Sequence, residues 1–257
     1  MASIHNDGVH ARFYAPGAHA SGDVIALPAD EAAHLTRVLR LTRGDHIVIF
    51  NGRGQAFDGI VQSARKNGVD VVIGAACAAA PEARVAITLV QAVLKGDKMD
   101  DVVRDAVMVG AAAVQPVIAA RSETTRRALE RGRRRERWER VAVSSAKQCG
   151  RAVVPAIHEP EPFEAMTALI DERQLPGPAL MLVEPQSEAD VVSLRELEGP
   201  PPREASLLIG PEGGWTPDEI AAASERCRLV TLGGRTLRGD AMALVAMAAL
   251  YAKWGEY

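Results

Sequence analysis

Three segments in the C-terminal third of the chain place glycine, proline and charged residues directly after apolar runs. They are 182–185 (LVEP), 208–219 (LIGPEGGWTPDE) and 232–240 (LGGRTLRGD). Glycines at positions 210, 213 and 214 permit positive φ and a close approach of the backbone to a ligand. A glycine turn without a ligand is also common, so the glycines alone are a weak signal. The two usual phosphate-binding patterns are excluded, because no GxxxxGK[ST] occurs and no GxGxxG follows a strand.

The same segments carry charged side chains that could move a proton or stabilise an anion. Glu212 or Asp240 could accept a proton, and the cation of Arg238 could stabilise negative charge that develops on a substrate. Two plainer alternatives stay open. Arg238 could pair with Asp240 and brace the loop, and Glu212 could cap the helix region at Thr216 or orient the glycine loop.

A basic segment stands apart from this group. Residues 121–151 carry 11 basic and 4 acidic residues, whereas the whole chain has a net charge of −3. Clustered arginines are typical of surfaces that bind phosphate groups. Glutamates at positions 130, 136 and 139 could instead pair with these arginines at helical spacing, which would make the segment a solvated helix face. Charge alone does not decide between the two.

The elements that must position these loops form two groups. In the N-terminal part, apolar runs at 23–27, 46–50, 56–61 and 69–73 predict a small β domain, and Asn51-Gly52 and Asn67-Gly68 predict hairpin turns. One helix is predicted over 29–39, with His34, Leu35, Val38 and Leu39 at helical spacing.

After residue 84 the pattern changes to apolar strands that alternate with helices. Strands are predicted at 85–93, 114–118, 153–157, 180–183, 206–209 and 229–232, and helices at 97–110, from the basic segment to about 150, and over 241–251. Thr216, Pro217 and Glu219 predict a further helix start with a capping box. This alternation is typical of a parallel sheet covered on both faces, in which ligands bind beyond the C-terminal strand ends.

Composition narrows the class of protein. The 257 residues are 47% hydrophobic and 25% charged, as in an ordinary globular protein. The longest apolar run, 241–250, is too short to span a membrane, and the N-terminus lacks the pattern of a signal peptide, so a cytoplasmic protein without membrane contact is expected. Cys77, Cys149 and Cys227 are far apart and form no CxxC pair, so neither a disulfide framework nor a metal site is expected.

The second and third segments together resemble the knotted SPOUT class of S-adenosylmethionine-dependent RNA methyltransferases. The residues that carry this resemblance are IGPEGG at 209–214 and LGGRTLR at 232–238. Within that class the chain resembles the bacterial 16S ribosomal RNA uridine N3-methyltransferase family, RsmE, over nearly its whole length. Further matching residues are RFY at 12–14, HL at 34–35, VLRL at 38–41, GD at 44–45, KGDKM at 95–99, and Gln148, Arg151 and Pro155.

The resemblance implies a fold, a cofactor and partners. The implied fold is α/β: a PUA-like β-barrel RNA-binding domain at 1–78 and a SPOUT parallel-sheet domain at 84–257, with a deep trefoil knot at about 180–257. The implied cofactor is S-adenosylmethionine, and the implied substrate is 16S ribosomal RNA or the small ribosomal subunit. The family is homodimeric through the knot helix, which would account for the apolar helix at 241–251.

Site residues follow position by position from the family's motifs. The implied cofactor contacts are Leu182, Glu184, Ile209, Gly210, Pro211, Gly213, Leu232 and Leu237. The implied catalytic residues are Arg238, which would stabilise the uridine anion, and Glu212 or Asp240, which would accept its proton. The implied RNA contacts are Arg12, Arg37, Arg40, Arg134 and Arg151. Carbon methylation often uses a cysteine adduct, and Cys149 and Cys227 lie outside the three loops, which favours methylation at nitrogen or ribose oxygen.

Three departures from the family pattern leave two alternatives open. Met108 and Lys147 stand where the family has acidic residues, and Gly239-Asp240-Ala241-Met242 replaces its usual Thr-Glu-Thr-Ala. The alternatives are a SPOUT methyltransferase for another RNA or another atom, and a non-catalytic RNA-binding assembly factor. The complete 209–214 motif argues against the second, because a pure binding protein has little need for three glycines there.

Overall fold

The chain divides into two compact units in the computed structural model, which describes residues 11–65, 68–185 and 190–256. The first unit contains the chain up to Pro81 together with Ala146–Val154, and the second contains Glu82–Ser145 and the chain from Pro155. The sequence-based boundaries, 1–78 and 84–257, do not include the return of 146–154 to the first unit.

The first unit is a five-stranded sheet with one short helical segment. Its elements are β1 (Arg12–Tyr14), β2 (Val24–Ala26), α1 (Ala29–Ala33), a π-helix (His34–Val38), β3 (His46–Phe50), β4 (Ala56–Arg65) and β5 (Gly68–Cys77). The strand order is β1-β3-β4-β5-β2, with β1 parallel to β3 and the other neighbours antiparallel. Alternate residues of β3 and β5, such as Ile47, Ile49 and Val71, are buried in its core. Asn67, of the second predicted hairpin turn, lies outside the described residues.

The predicted helix over 29–39 is wrong in its second half. The α-helix ends at Ala33, and the amide of Leu39 donates to the carbonyl of His34 at 3.1 Å, five residues back. The wider π-turn interrupts the α-helical spacing of the predicted apolar residues. Leu35 is fully buried, whereas Val38 and Leu39 are 66% and 40% exposed.

The second unit is an eight-stranded, wholly parallel sheet with helices. Its elements are β6 (Ala86–Ala92), α2 (Lys98–Val109), β7 (Ala113–Ile118), α3 (Arg126–Arg131), α4 (Arg134–Cys149), β8 (Ala156–Ile157), β9 (Glu161–Pro162), α5 (Phe163–Asp171), β10 (Ala179–Leu182), β11 (Val192–Ser193), a 3-10 helix (Leu194–Glu196), β12 (Glu204–Ile209), α6 (Pro217–Ser224), β13 (Arg228–Thr231) and α7 (Gly239–Lys253). The last residues of α4 belong to the first unit. The strand order is β11-β13-β10-β12-β6-β7-β8, and β9 also pairs with β7. The predicted parallel sheet is confirmed.

Three elements of this unit differ from the sequence prediction. The basic helix is broken into α3 and α4, because Arg133 takes a left-handed φ of 48° between them. The strand predicted at 153–157 is reduced to β8. The predicted helix 241–251 is longer, and its buried residues (Ala243, Ala246, Met247, Leu250 and Tyr251) agree with its apolar composition. Within the described ranges, no helix combines the length and the apolar character that a membrane span needs.

Candidate functional site

The three glycine-containing loops meet at one edge of the parallel sheet. They follow β10, β12 and β13, which are neighbours in the order β13-β10-β12, so their carboxyl ends lie side by side. A cavity of about 630 Å³ opens there. Its lining includes seven predicted cofactor residues: Leu182, Glu184, Ile209, Gly210, Pro211, Leu232 and Leu237. Glu212 also lines it, whereas Gly213, Arg238 and Asp240 are described residues outside the lining.

The glycine loop is closely packed at two of its positions. A Cβ on Gly214, whose φ is +68°, would lie 2.9 Å from Oε1 of Glu184. A Cβ on Gly210 would lie 3.2 Å from the indole ring of Trp215. That indole donates from Nε1 to the carbonyl of Leu182 at 3.0 Å, which joins the loop after β12 to the end of β10. The loop is therefore held in one conformation from inside the unit.

The helix that follows the glycine loop starts as its sequence predicts. The Thr216 hydroxyl accepts from the amide of Glu219, and the Glu219 carboxylate accepts from the amide of Thr216, so the capping box is confirmed. The second carboxylate oxygen of Glu219 accepts from the amide of Ala120 at 2.8 Å. Glu219 thus connects α6 to the loop after β7 as well as capping the helix.

Arg121 is a site residue that the sequence analysis missed. It lies in the loop after β7, lines the cavity, and donates from Nη1 to the carbonyls of Gly213 and Trp215 at 2.7 and 3.2 Å. Its Cβ and Cδ lie 3.3 Å from where a Cβ of Gly213 would be. An arginine directly after an apolar strand of the same sheet was the available signal. This signal identifies a site residue only when the strand order is known, because β7 must lie near β12 in the sheet.

Four charged residues near the cavity form two ion pairs. Nζ of Lys98 donates to Oε1 of Glu212 at 2.8 Å. Arg238 binds Asp240 through two contacts, Nε to Oδ1 at 3.0 Å and Nη2 to Oδ2 at 2.7 Å. The predicted alternative, in which Arg238 pairs with Asp240, describes this geometry. Lys98 belongs to the matching motif KGDKM at 95–99, and no role was predicted for it from the sequence.

These pairs set the charge state of both carboxyl groups. Burial raises the pKa of Glu212, but hydrogen bonds from Lys98 and from the backbone amides of Glu212 and Lys95 outweigh it and hold this pKa below its usual value. Hydrogen bonding to Arg238 lowers the pKa of Asp240. Both groups are therefore carboxylates at neutral pH, and neither has the raised pKa of a strong general base.

The predicted RNA contacts occupy different environments. Arg12 donates from Nη2 to the carbonyl of Arg151 at 3.0 Å and lies over the Phe50 ring at 5.2 Å. Arg151 is only 4% exposed and packed in the first unit, which does not favour its role as an RNA contact, and that role stays a prediction. Arg37 and Arg40 are exposed.

Half of the ten arginines in the basic segment form ion pairs. Five arginines pair with carboxylates of the same unit: Arg126 with Glu130 and Glu161, Arg133 with Glu136, Arg134 with Asp97, Arg135 with Glu139 and Glu159, and Arg137 with Asp97 and Asp100. The alternative of a solvated, ion-paired helix face therefore describes these positions, including the predicted RNA contact Arg134.

The three tryptophans and Cys227 are packed in the core. Trp138, Trp215 and Trp254 are all buried, as their preference for core packing predicts. Burial raises the pKa of the Cys227 thiol to about 11, so it is not a thiolate at neutral pH. Among the described residues, no group of three or more His, Cys, Asp or Glu side chains is arranged to hold a metal ion.

Comparison with known proteins gives two matching families. A family described as an RNA methyltransferase domain matches residues 81–251, and one described as an RNA methyltransferase PUA domain matches residues 27–74. Ribosomal RNA small subunit methyltransferase E of Mycobacterium tuberculosis is 26% identical over 239 residues, which cover 93% of this chain and 90% of that protein. The protein of the same name from Bacillus subtilis is 25% identical over 228 residues, 88% of each chain.

Solved structures agree with these matches. Ribosomal RNA small subunit methyltransferase E of Neisseria gonorrhoeae, bound to S-adenosylmethionine, superposes with a TM-score of 0.84 at 29% identity and covers 96% of this chain and 98% of its own. A protein of Legionella pneumophila, also solved with this cofactor, superposes with a TM-score of 0.84 at 27% identity, covering 95% and 97%.

Proposed function

Since this chain belongs to the family of RNA methyltransferases with a PUA domain, as its loop residues suggested, we propose that it methylates N3 of a uridine in 16S ribosomal RNA. The methyl donor is S-adenosylmethionine. One observation carries the proposal: seven of the eight predicted cofactor residues line a single cavity at the carboxyl ends of β10, β12 and β13. The small ribosomal subunit is the proposed partner, in the cytoplasm.

The residues around the cavity fit this cofactor. Gly210 and Gly214 line the cavity with backbone groups only, because glycine has no side chain. A volume of about 630 Å³ falls in the range of small-molecule and cofactor sites. When bound, S-adenosylmethionine supplies a methyl group on a sulfonium, which a nucleophile with an in-line lone pair accepts.

Uridine N3 carries a proton, so the protein must favour the uridine anion. Lys98 and Arg238 are the cations that pair with Glu212 and Asp240, and we assign this stabilisation to them. Glu212 and Asp240 hold these cations in place, and either can accept the departing proton. Because both carboxyl pKa values are lowered, cationic stabilisation contributes more than general-base strength.

The proposal includes a homodimer and a knot over 180–257. Helix α7 is apolar on most of its circumference, and Val245 on α7 and Met108 on α2 are 41% and 45% exposed. Exposed apolar residues on two packed helices favour contact with a second copy. The glycine-rich loops after β12 and β13 suit a knotted backbone in which chain segments approach closely.

The decisive experiment is methyl transfer in vitro, followed by nucleoside mass spectrometry. Small ribosomal subunits from cells that lack N3-methyluridine are incubated with the protein and labelled S-adenosylmethionine. We expect the label in N3-methyluridine of 16S ribosomal RNA, and an Arg238→Ala variant that binds the cofactor normally but reacts at least tenfold more slowly. Label in another nucleoside or another RNA would replace the proposed substrate. A folded protein that binds RNA but no cofactor would support an assembly factor instead.

A further inference from the structure

Strand β6 buries a glutamine among apolar residues. Gln91 is 0% exposed, and its neighbours in register are Ile209 on β12 and Pro116 on β7. Strands of a parallel sheet that is covered on both faces are usually continuous apolar runs. A buried carboxamide destabilises the fold unless its polar atoms are hydrogen-bonded. Core packing alone therefore does not account for a glutamine at this position.

The hydrogen bonds of the Gln91 carboxamide are incomplete. Its Nε2 donates to the carbonyl of Ala92 at 2.9 Å and lies 3.5 Å from the carbonyl of Gly210, at the long end of the range for a hydrogen bond. Its Oε1 is buried and has no hydrogen-bond partner among the described residues. Gly210 lines the cavity, whereas Gln91 is a described residue outside the lining. Gln91 thus reaches the glycine loop from inside the sheet.

A second buried glutamine, one strand away, has the same arrangement with two bonds of ordinary length. Gln115 on β7 is 5% exposed, and its Nε2 donates to the carbonyls of Pro116 and Glu159 at 2.9 and 2.8 Å. Like Gln91, it contacts the next carbonyl of its own strand and a carbonyl that follows a neighbouring strand. Glu159 is not part of the cavity lining, so Gln115 is the structural counterpart of Gln91 without a cavity beside it.

Two buried side chains contact Gly210 at different atoms. The indole of Trp215 lies 3.2 Å from where a Cβ of Gly210 would be, and the Gln91 carboxamide lies at the carbonyl. Farther along the same two segments, Nζ of Lys98 donates to Oε1 of Glu212 at 2.8 Å. The segment from β6 to α2 therefore contacts the glycine loop at both Gly210 and Glu212, and Gln91 is the buried end of this contact.

We propose that Gln91 is a positioning residue for S-adenosylmethionine, which acts through Gly210. This inference deepens the proposed function and rests on its cofactor assignment. Donation from Nε2 to the Gly210 carbonyl fixes the peptide plane between Gly210 and Pro211, and both of these residues line the cavity. Hydrogen bonds at catalytic sites are often long without the ligand and tighten in the complex. Incomplete hydrogen bonding of a buried group is expected at functional sites rather than in an ordinary core.

The first test compares Gln91→Met with Gln115→Met. Methionine is close to glutamine in length, so each variant removes the amide and keeps the packing. We expect Gln91→Met to weaken S-adenosylmethionine binding about fivefold by calorimetry, the size of one neutral hydrogen bond, and Gln115→Met to change it less than about twofold. The urea midpoint of unfolding should follow the reverse order. Gln115 loses two hydrogen bonds of ordinary length, whereas Gln91 loses one such bond together with an unsatisfied oxygen.

A general structural role of Gln91 cannot produce this crossed pattern of affinity and stability. Equal loss of cofactor affinity in both variants, or wild-type affinity in Gln91→Met, would overturn the inference. At saturating cofactor, the rate of Gln91→Met should stay within about twofold of the wild type, because Lys98 and Glu212 are unchanged. A slower saturated rate with normal cofactor affinity would place Gln91 in the reaction chemistry and would also overturn the inference.

Nuclear magnetic resonance tests the contact at Gly210 directly. The chain has three Gly–Pro pairs, at 177–178, 199–200 and 210–211. Isotope labels at the glycine carbonyl carbon and the proline nitrogen therefore select three signals. In Gln91→Met we expect one of them to shift, the same signal that responds to S-adenosylmethionine in the wild type. None should shift in Gln115→Met, and three unchanged signals in Gln91→Met would overturn the inference.

Failure of the inference and failure of the proposed function give different results. Cofactor affinity is measured without RNA, so it does not depend on which nucleoside is methylated. If the protein binds S-adenosylmethionine with the expected difference between the two variants but forms no N3-methyluridine, the proposed reaction is wrong and the role of Gln91 stands. If it forms N3-methyluridine and Gln91→Met binds the cofactor like the wild type, only the inference about Gln91 is wrong.

Discussion

At the scale of single residues, Arg121 is expected to control cofactor affinity without belonging to any of the three loops. Its guanidinium anchors the carbonyls of Gly213 and Trp215, on both sides of Gly214. A hydrogen bond from a charged donor contributes about 1.5 to 3 kcal/mol, and exposure reduces this value here. Arg121→Ala should therefore weaken S-adenosylmethionine binding about tenfold by calorimetry.

The control tests whether the loss of any exposed arginine weakens cofactor binding as the loss of Arg121 does. Arg126 is an exposed arginine on α3 that pairs with Glu130 and Glu161, away from the cavity lining. Arg126→Ala should leave cofactor affinity unchanged. If Arg121→Ala also binds like the wild type, the glycine loop holds its conformation without the clamp and the assignment is wrong.

Residue charge states also predict the pH dependence of the reaction. A carboxyl group whose pKa is lowered in the folded protein contributes to stability above its usual pKa of about 4, and this contribution is lost as the pH falls through the lowered value. Glu212 and Asp240 are therefore ionised throughout the neutral range. Single-turnover rates should show no inflection from Glu212 between about pH 6 and about pH 8. Glu212→Gln should lower the rate without changing the shape of the profile.

A pH profile with an inflection in the neutral range would assign Glu212 a different role. An inflection in the neutral range that disappears in Glu212→Gln would mean that Glu212 titrates there as a general base. The ion pair with Lys98 would then have to break when RNA binds, because the pair as it stands keeps the carboxylate ionised.

At the scale of elements, the glycine loop should not tolerate a methyl group at position 214. Gly214 has a φ of +68°, and a Cβ added to it would lie 2.9 Å from Oε1 of Glu184. Gly214→Ala should reduce cofactor affinity by more than tenfold and lower the free energy of unfolding by about 1 to 2 kcal/mol, because alanine resists positive φ. Gly17→Ala is the control for both measurements, since no atom lies within 4 Å of its added Cβ and its φ is not positive. Unchanged cofactor affinity of the Gly214 variant would show that the loop does not contact the ligand.

Elements differ in how far their sequence specifies them. The strand β3 matches its predicted bounds, and the capping box of α6 is as predicted, because alternation and cap residues are local signals. The π-helix His34–Val38 is not predictable in this way, since its apolar spacing is that of an α-helix. The backbone conformation there depends on tertiary packing, in which Leu35 is buried and Val38 is exposed.

At the scale of the whole molecule, the strand order explains why the site was only partly predictable. The rule that ligands bind at the carboxyl ends of parallel strands placed the three loops together from sequence alone. Arg121 follows β7, which lies two strands from β12 in the sheet, and no local pattern indicates that distance. The burial of Arg151 was hidden for the same reason, because its segment joins a unit formed mainly by the first 81 residues.

The contacts of 146–154 with the first unit include a buried ion pair, which gives a prediction at this scale. Lys147 donates to Glu31 on α1 at 2.7 Å and lies over the Phe13 ring at 4.8 Å, and both side chains are mostly buried. Lys147→Met would leave the Glu31 carboxylate buried without a partner and should lower the free energy of unfolding by about 3 to 5 kcal/mol in urea. Adding Glu31→Leu should recover much of this loss, because a buried apolar pair can replace a buried ion pair.

The matched control is Lys95→Met, which breaks an exposed pair with Glu123 and should cost far less stability than Lys147→Met. If Lys147→Met costs no more than this control, the pair does not hold 146–154 in the first unit. The cationic residue at position 147 would then have no structural role. A large loss with recovery in the double variant would instead show that this chain joins its distant segments through a charge pair of its own.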